Sequence, residues 1–184
     1  MTYFVSLKIT AIIIGLIYLA AHLPGAIAPA ATAHRLQLLS RHYPLGVGLT
    51  LAATLWFVIL TGTMDLGELS SIRLYLMTVW SIAGVLLAIF VPGFLPLRGL
   101  GCLLLLAAAL ILDAAFLVQT PARYVMTILA YGWAIKGMVL VYSPHLGYQA
   151  VEYMTATRDR LQIGSWFGAA FGLILVILGI FVYP

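Results

Sequence analysis

Charged side chains are scarce in this sequence, at 8% of residues, whereas 64% of residues are hydrophobic. A soluble domain typically has about 25% charged residues. The scarcity of charge therefore excludes an ordinary soluble domain and indicates a protein that lies in lipid. Hydrocarbon offers the backbone no hydrogen-bond partner, so a spanning segment must be a helix or part of a closed barrel. Because barrel strands would alternate in polarity and this chain has continuous apolar runs, we predict an all-α polytopic membrane bundle.

Cysteine and carboxylates are also rare, which limits the chemistry that the chain can support. Cys102 is the single cysteine, so no disulfide can form within the chain. The four histidines include no pair spaced three or four residues apart, the spacing of metal ligands on a helix. No phosphate-binding or nucleotide-binding motif occurs. We therefore predict no catalytic activity, no metal and no nucleic-acid partner, and the sequence specifies no cofactor.

Six apolar runs of roughly 20 residues are each long enough to cross a bilayer as a helix. They are residues 4–23, 45–64, 72–91, 97–116, 124–142 and 163–182. We predict six spans in a single transmembrane domain, residues 1–184. Five spans would remain if the first were a cleaved signal, since Lys8 precedes an apolar stretch and Ala28-Pro29-Ala30 resembles a cleavage site.

Proline and glycine between the runs predict where the helices end. Pro24 and Pro29 follow the first run, Gly62 and Gly67 end the second, and a turn at 92–96 separates the third from the fourth. The shortness of that turn predicts that the third and fourth spans form a tight hairpin.

Two connections are longer than turns and resemble each other. Residues 24–43 and 144–162 each begin at a proline and place polar or basic side chains opposite apolar ones at helical spacing. That pattern predicts two short amphipathic helices at the membrane interface. A possible repeat follows, residues 4–64 against 124–182 around a central hairpin at 72–116. The alternative is that any apolar helix followed by proline, a basic loop and glycine shows this pattern.

The closing region of the chain resembles a family of small bacterial inner-membrane proteins made of two helices around a basic amphipathic loop. The residues that carry the resemblance are Gly137, Ser143-Pro144, 148–160 and 164–183. The stretch from Leu112 through Asp113 and Arg123 to Pro144 is similar to uncharacterised six-helix bacterial membrane proteins. Both resemblances imply a bacterial inner membrane, and neither implies an activity.

Basic residues in the short loops predict the orientation, because such loops tend to stay cytoplasmic. Arg35, Arg41, Arg98, Arg158 and Arg160 fall on one side of the predicted bundle, and Lys8, Arg73 and Arg123 fall on the other. We therefore predict a multi-pass protein with both termini outside. Anionic lipid headgroups are a sufficient partner for the formal charge of +4.

The sixth span carries Gly164, Gly168 and Gly172 at four-residue spacing. Small residues in that register let another helix approach closely. We interpret the three glycines as a packing surface, either for another span of the same chain or for a second copy or partner chain.

Charged residues inside spans are costly in hydrocarbon and are therefore candidates for function. Asp113 and Lys136 differ in predicted depth by ~15 Å, at a helix rise of ~1.5 Å per residue, which is too far for a direct ion pair. We expect Asp113 to pair with Arg123 across the outer turn, and Lys136 to reach the inner headgroups or backbone carbonyls. Lys8, near the amino end of the first span, is the third charge.

Three classes of function are compatible with these features. The first is a non-catalytic membrane subunit or scaffold, favoured by the glycines of the sixth span. A small solute, proton or ion transporter or channel is the second, favoured by the possible repeat and by Asp113 and Lys136. The third is a subunit that binds an apolar cofactor, such as a quinone or pigment, in a groove that Trp80, Tyr131 and Trp133 could line.

Overall fold

The computed structural model describes residues 5–91, 93–116 and 118–183, and within these ranges the chain is all-α, as predicted. Eight α-helices and one 3-10 helix, Gly67–Ile72, make up the described fold. The α-helices are α1 (Leu7–Ile27), α2 (Pro29–Arg41), α3 (Tyr43–Thr63), α4 (Arg73–Phe90), α5 (Leu95–Phe116), α6 (Arg123–Tyr142), α7 (Pro144–Thr155) and α8 (Arg158–Phe181).

Six helical segments are long and apolar enough to cross a membrane, which confirms the six predicted spans. They correspond to α1, α3, α4 with its preceding 3-10 helix, α5, α6 and α8. The two predicted short helices are also present, as α2 and α7. The protein is therefore a polytopic helix bundle with two additional short helices.

The bundle consists of closely packed helix pairs. α1 packs along α8, α5 packs along α6, and α3 packs against both α4 and α5. Buried side chains from α1, α5, α6 and α8 meet in one core, in which Ile111, Met126 and Leu175 are fully buried. The α1–α8 pair thus joins the rest of the bundle at α5 and α6.

Two reciprocal glycine contacts set the spacing of these pairs. A Cβ atom added at Gly15 would lie 2.7 Å from the Gly172 carbonyl oxygen, and one added at Gly172 would lie 2.8 Å from the Gly15 carbonyl oxygen. Gly101 and Gly137 face each other in the same way, at 2.9 and 2.8 Å. Backbones approach this closely only where no side chain intervenes, which is how small residues favour helix association in a membrane.

The first helix continues past Pro24, where the sequence predicted its end. α1 runs to Ile27, and the Ala28 N–H bonds to the Pro24 carbonyl at 2.8 Å. A proline within a spanning helix is tolerated when neighbouring groups compensate for the lost backbone bond. The helix ends at Ile27, two residues before Pro29, whose ring disfavours the α conformation at Ala28. The predicted start of this span, residue 4, lies outside the described residues.

α4 and α5 are joined by a short turn, but they do not form the predicted tight hairpin. Both helices pack against α3 instead. The reason is the position of their small residues: Gly84 of α4 lies against Thr54 of α3, and Gly99 of α5 lies against Thr50 of α3. Phe94, at φ 63°, turns the chain between α4 and α5, while Pro92 lies outside the described residues.

Both short helices begin in the same way. Ala28 before α2 and Ser143 before α7 have nearly identical backbone angles, φ −131°, ψ 68° and φ −126°, ψ 66°. Each precedes a proline, and a following proline by itself disfavours the α conformation at the preceding residue. The similarity is therefore compatible with both the repeat and its alternative, and the repeat stays a prediction.

Candidate functional site

The two short helices lie side by side and form a polar surface at one end of the bundle, which we call the platform. α2 and α7 contact each other and also contact α5 and α8. Three polar contacts join them: Arg41 Nη2 donates to Glu152 Oε1 (3.2 Å), Gln37 Nε2 donates to Thr155 Oγ1 (2.9 Å), and Tyr148 Oη donates to the Ser40 carbonyl (2.6 Å). Helices from distant parts of the sequence are thus held together by specific side-chain pairs.

Tyr148 is the best-anchored side chain of the platform. Its ring packs edge-on against Phe94, with 5.0 Å between the ring centroids, and the Arg41 guanidinium lies 5.9 Å from its centroid. Burial raises the pKa of the Tyr148 phenol, and the charge of Arg41 lowers it by a smaller amount. The neutral phenol is therefore favoured, and it is the neutral form that can donate to the Ser40 carbonyl.

A groove of about 470 Å³ lies between the two platform helices. Its lining residues are His34, Gln37, Leu38, Ser40, Arg41, Tyr148, Val151 and Glu152. Polar and apolar atoms contribute about equally to this surface. The groove can therefore accept a polar chain segment more readily than a hydrocarbon.

Positive charge is concentrated at the platform end of the bundle. Six of the nine Lys and Arg residues belong to the platform helices or to the halves of the spans nearest to them: Arg35, Arg41, Arg98, Lys136, Arg158 and Arg160. Only two of the five carboxylates, Glu152 and Asp159, lie there. The opposite end has equal numbers of bases and acids, so the platform end carries the whole formal charge of +4.

A larger cavity, of about 640 Å³, lies beneath the platform between the α1–α8 pair and the α5–α6 pair; we call it the lateral cavity. α7 bridges the two pairs by packing against α6 and α8. Most of the cavity wall is apolar. The lining residues are Ala21, His22, Thr32, Leu36, Leu97, Leu100, Lys136, Val139, Leu140, Leu146, Gly147, Ala150, Val151, Met154, Thr155, Leu161, Gly164 and Ser165.

An aromatic cluster lies next to the lateral cavity. His22 lines the cavity and stacks on Tyr18 one helical turn away, with ring centroids 5.3 Å apart, and its Nδ1 lies 2.9 Å from the Tyr18 carbonyl oxygen. Trp133 Nε1 donates a hydrogen bond of 2.9 Å to Tyr18 Oη, and Phe171 packs edge-on against the same ring. Tyr18 therefore connects α1 with both α6 and α8.

A second apolar cleft, of about 430 Å³, lies where α4 and α5 diverge on either side of α3. Trp80 and Phe57 line it, together with Cys102 from α5. The two rings pack edge to face, with 5.3 Å between their centroids. The cleft is almost entirely apolar and can therefore accommodate a hydrocarbon or an aromatic ring system.

The charges predicted inside the spans lie at different levels. Because Gly101 faces Gly137, Lys136 lies near the level of Gly101, whereas Asp113 is twelve residues further along α5, or ~18 Å. The two charges are therefore not a direct pair, in agreement with the sequence argument. Lys136 lines the lateral cavity near the platform.

Arg123 is held by backbone and ring contacts at the other end of the bundle. Its Nη1 donates to the Val118 carbonyl at 2.7 Å, and its guanidinium lies 5.3 Å from the centroid of the Tyr124 ring. Its predicted contact with Asp113 stays a prediction. Within the described ranges, no group of three or more His, Cys, Asp or Glu residues is arranged to hold a metal ion.

Two of the three glycines of the sixth span face α1 within the same chain. Gly172 meets Gly15, and Gly168 lies directly against the His22 ring, so that an added Cβ would overlap the imidazole. Gly164 lies at the lateral cavity, where an added Cβ would meet only the Met154 methyl group, at 2.7 Å. The four-residue spacing thus marks packing within the bundle at Gly168 and Gly172.

The three aromatic residues predicted to line one groove are not brought together. Trp80 lies in the cleft beside α3, Trp133 packs against Tyr18, and Tyr131 is exposed on α6. The sequence argument also missed the lateral cavity. A cavity lined by six helices depends on which helices become neighbours, and only the small residues at Gly147, Ala150 and Gly164 hinted at space there.

In comparisons with known proteins, no protein-family model, no curated protein and no solved structure matches the chain.

Proposed function

We propose that this chain is a non-catalytic membrane subunit whose platform binds a partner protein at the cytoplasmic surface of a bacterial inner membrane. The platform is the observation that carries the proposal. α2 and α7 are fixed to each other by three polar contacts, although Gln37 and Thr155 are 118 positions apart in the sequence. A surface built from two distant segments and held in one arrangement is suited to recognition, because little side-chain entropy is lost when a partner binds.

Charge supports a partner with an acidic surface. The exposed side chains of Arg35 and Arg158 lie at the end of the bundle that carries the net charge of +4. Complementary charge increases the rate of association and disfavours partners of the wrong sign. The same basic end favours the cytoplasmic side, so both termini would be outside.

The use of polar groups elsewhere supports a non-catalytic role. Arg73 donates to the Gly62 and Met64 carbonyls, at 2.8 and 2.9 Å. Thr54, like several other hydroxyl residues in the spans, donates to the carbonyl four residues earlier. These hydrogen bonds stabilise helix ends and helix interiors.

The test is purification from the native membrane in mild detergent, with the co-purifying chains identified by mass spectrometry. The double variant Arg35→Glu/Arg158→Glu lowers the formal charge of the platform end from +4 to zero without removing any of the three platform contacts. Ser70→Glu, on the opposite end, is the matched control. A chain that is stoichiometric with the wild type and with Ser70→Glu, but lost from the double variant, supports the proposal. Recovery of the same chains with all three proteins contradicts it.

A second copy of the chain is the other partner that the sequence suggests for the sixth span. Since α1 covers Gly168 and Gly172, a homodimer contact on α8 would use its outer face, where Phe167, Ile174 and Phe181 are exposed. Cysteine crosslinking in the membrane after Ile174→Cys, in a Cys102→Ala background, distinguishes this contact from a monomer.

The cleft beside α3 supports a second candidate function, the binding of an apolar cofactor. Its 430 Å³ volume and its Trp80 and Phe57 rings suit a planar apolar group such as a quinone head or pigment ring. Solvent extraction of the purified protein followed by absorbance and mass spectrometry tests this. We expect Cys102→Leu, which fills the cleft, to lose the bound group. Gly48→Leu, at a site with nothing within 4 Å, should keep it.

A further inference from the structure

The lateral cavity combines an apolar wall with a single charge. Lys136 is the one charged residue among its lining side chains, and the other polar members are His22, Thr32, Thr155 and Ser165. A cavity of about 640 Å³ falls within the ~300–1,000 Å³ typical of small-molecule sites. Its composition therefore fits a ligand with a long apolar part and one polar end.

The position of Lys136 indicates that the polar end of the ligand carries a negative charge. Lys136 is six residues before the end of α6, so its Cα lies ~9 Å below that end, at the margin of the apolar region. Among the residues that the structure describes, no carboxylate lies within 4 Å of its ammonium group. An ammonium group at this depth is stabilised by an anion, because hydrocarbon solvates it poorly.

The cavity also has an open side. α6 packs against α5 and α8 packs against α1, while α7 bridges the two pairs only at the platform end. Exposed apolar side chains stand next in sequence to lining residues: Ile135 precedes Lys136 on α6 and Ile163 precedes Gly164 on α8, with 59% and 57% exposure. In a membrane these side chains contact acyl chains, so a ligand can enter sideways from the lipid without passing through the platform.

We propose that the lateral cavity binds an amphiphile that has one anionic head and a hydrocarbon chain. The head pairs with the ammonium group of Lys136, and the chain lies between the two helix pairs beneath α7. A free fatty acid and an anionic phospholipid share this chemistry, with a carboxylate or a phosphate as the head. This inference rests on the cavity and is independent of the platform's proposed partner.

The test is direct binding to the full-length protein, delipidated and reconstituted in nanodiscs of zwitterionic phosphatidylcholine. Three radiolabelled probes with the same chain are compared: palmitate, palmitoyl lysophosphatidic acid and neutral monopalmitoyl glycerol. We expect one equivalent of an anionic probe to bind and the neutral probe to bind more weakly. Preference for palmitate identifies a free fatty acid, and preference for the phosphate probe identifies a phospholipid. Equal binding of all three probes, or none by any, overturns the proposal.

Variants of two kinds locate the site. Lys136→Gln removes the charge and should weaken anionic binding about tenfold or more, as expected for the loss of a charged hydrogen bond, whereas Lys136→Arg should retain it. Gly164→Leu extends a side chain into the cavity, and Gly132→Leu places the same side chain on α6 where nothing lies within 4 Å. Binding that is blocked by Gly164→Leu and kept by Gly132→Leu supports the site. Unchanged binding in both Lys136→Gln and Gly164→Leu overturns it.

Discussion

The indole nitrogen of Trp133 donates a hydrogen bond of 2.9 Å to the phenolic oxygen of Tyr18. The two residues are 115 positions apart in the sequence, and their contact joins α6 to α1. Because α1 is packed along α8, and α6 along α5, this hydrogen bond links the two closely packed pairs that enclose the lateral cavity. The Tyr18 and Trp133 rings also stack, with 6.0 Å between their centroids, so the two pairs are in contact through aromatic side chains as well.

The Tyr18–Trp133 contact should be measurable as a coupling energy. Tyr18→Phe and Trp133→Phe are each expected to destabilise the bundle, and the double variant to lose less than their sum, with a coupling of about 0.6 kcal/mol and at most ~1.7. Unfolding in mixed micelles with increasing SDS measures the three variants against the wild type. Tyr131→Phe, exposed on the same helix, is the control and should change nothing. Purely additive effects would show that the two side chains act independently.

A substitution at Gly168 tests whether the small residues of α8 allow close packing within the bundle. Gly168→Leu forces a side chain into the His22 ring and should destabilise the fold by about 1–3 kcal/mol or more, as overpacking does. Thermal unfolding in detergent is the measurement. Gly132→Leu introduces the same side chain into open space on α6 and should leave stability unchanged. A change in oligomeric state with unchanged stability would instead assign Gly168 to an interface between chains.

Because the pKa of Tyr148 is raised, we expect the platform to lose stability at high pH. Burial raises the pKa of its phenol in the folded state, so this contribution to stability is fully present below the unfolded pKa and is lost as the pH rises through the folded pKa. Ionisation also removes the proton donated to the Ser40 carbonyl. We expect amide hydrogen exchange in α7 to rise steeply in alkaline solution, and the pH-dependent part of that rise to vanish in Tyr148→Phe.

Arg41 provides the control for this titration. Because its charge lowers the pKa of Tyr148, Arg41→Gln should move the tyrosinate absorbance change of that residue to higher pH. The ion pair itself should add little stability, about 0–1 kcal/mol, since both side chains are more than half exposed. A titration of Tyr148 below that of an ordinary exposed tyrosine would contradict the burial argument.

The orientation can be measured with single cysteines. In a Cys102→Ala background, we expect Ser70→Cys to react with a membrane-impermeant maleimide in intact spheroplasts, and His34→Cys to react only after permeabilisation. Both positions are exposed and lie at opposite ends of the bundle. The physical reason is the excess of bases at the platform end, which favours the cytoplasm. The reverse labelling pattern would place the platform outside.

The sequence by itself determined the class of protein and the number of helices. Apolar runs long enough to span a bilayer must be helical, because each backbone group has to be paired within its own segment. The short helices α2 and α7 were predictable for a similar reason, since their amphipathic pattern and the prolines that begin them are local properties. Lys136 was singled out because a charge inside a span is costly, and the glycines at 168 and 172 because of their four-residue spacing; a functional role for any of them stays a prediction.

Only the tertiary structure decided which helices are neighbours. A proline in the sequence predicts a helix end, yet α1 continues through Pro24, and a short turn predicts a hairpin, yet α4 and α5 both pack on α3. The lateral cavity and the platform depend on contacts such as Gly15–Gly172 and Arg41–Glu152, between residues more than a hundred positions apart. The sequence of an apolar helix does not show which of its faces contacts lipid and which packs against another helix, because both kinds of face are apolar. The choice between them rests on shape complementarity summed over whole helix faces, which no local pattern contains.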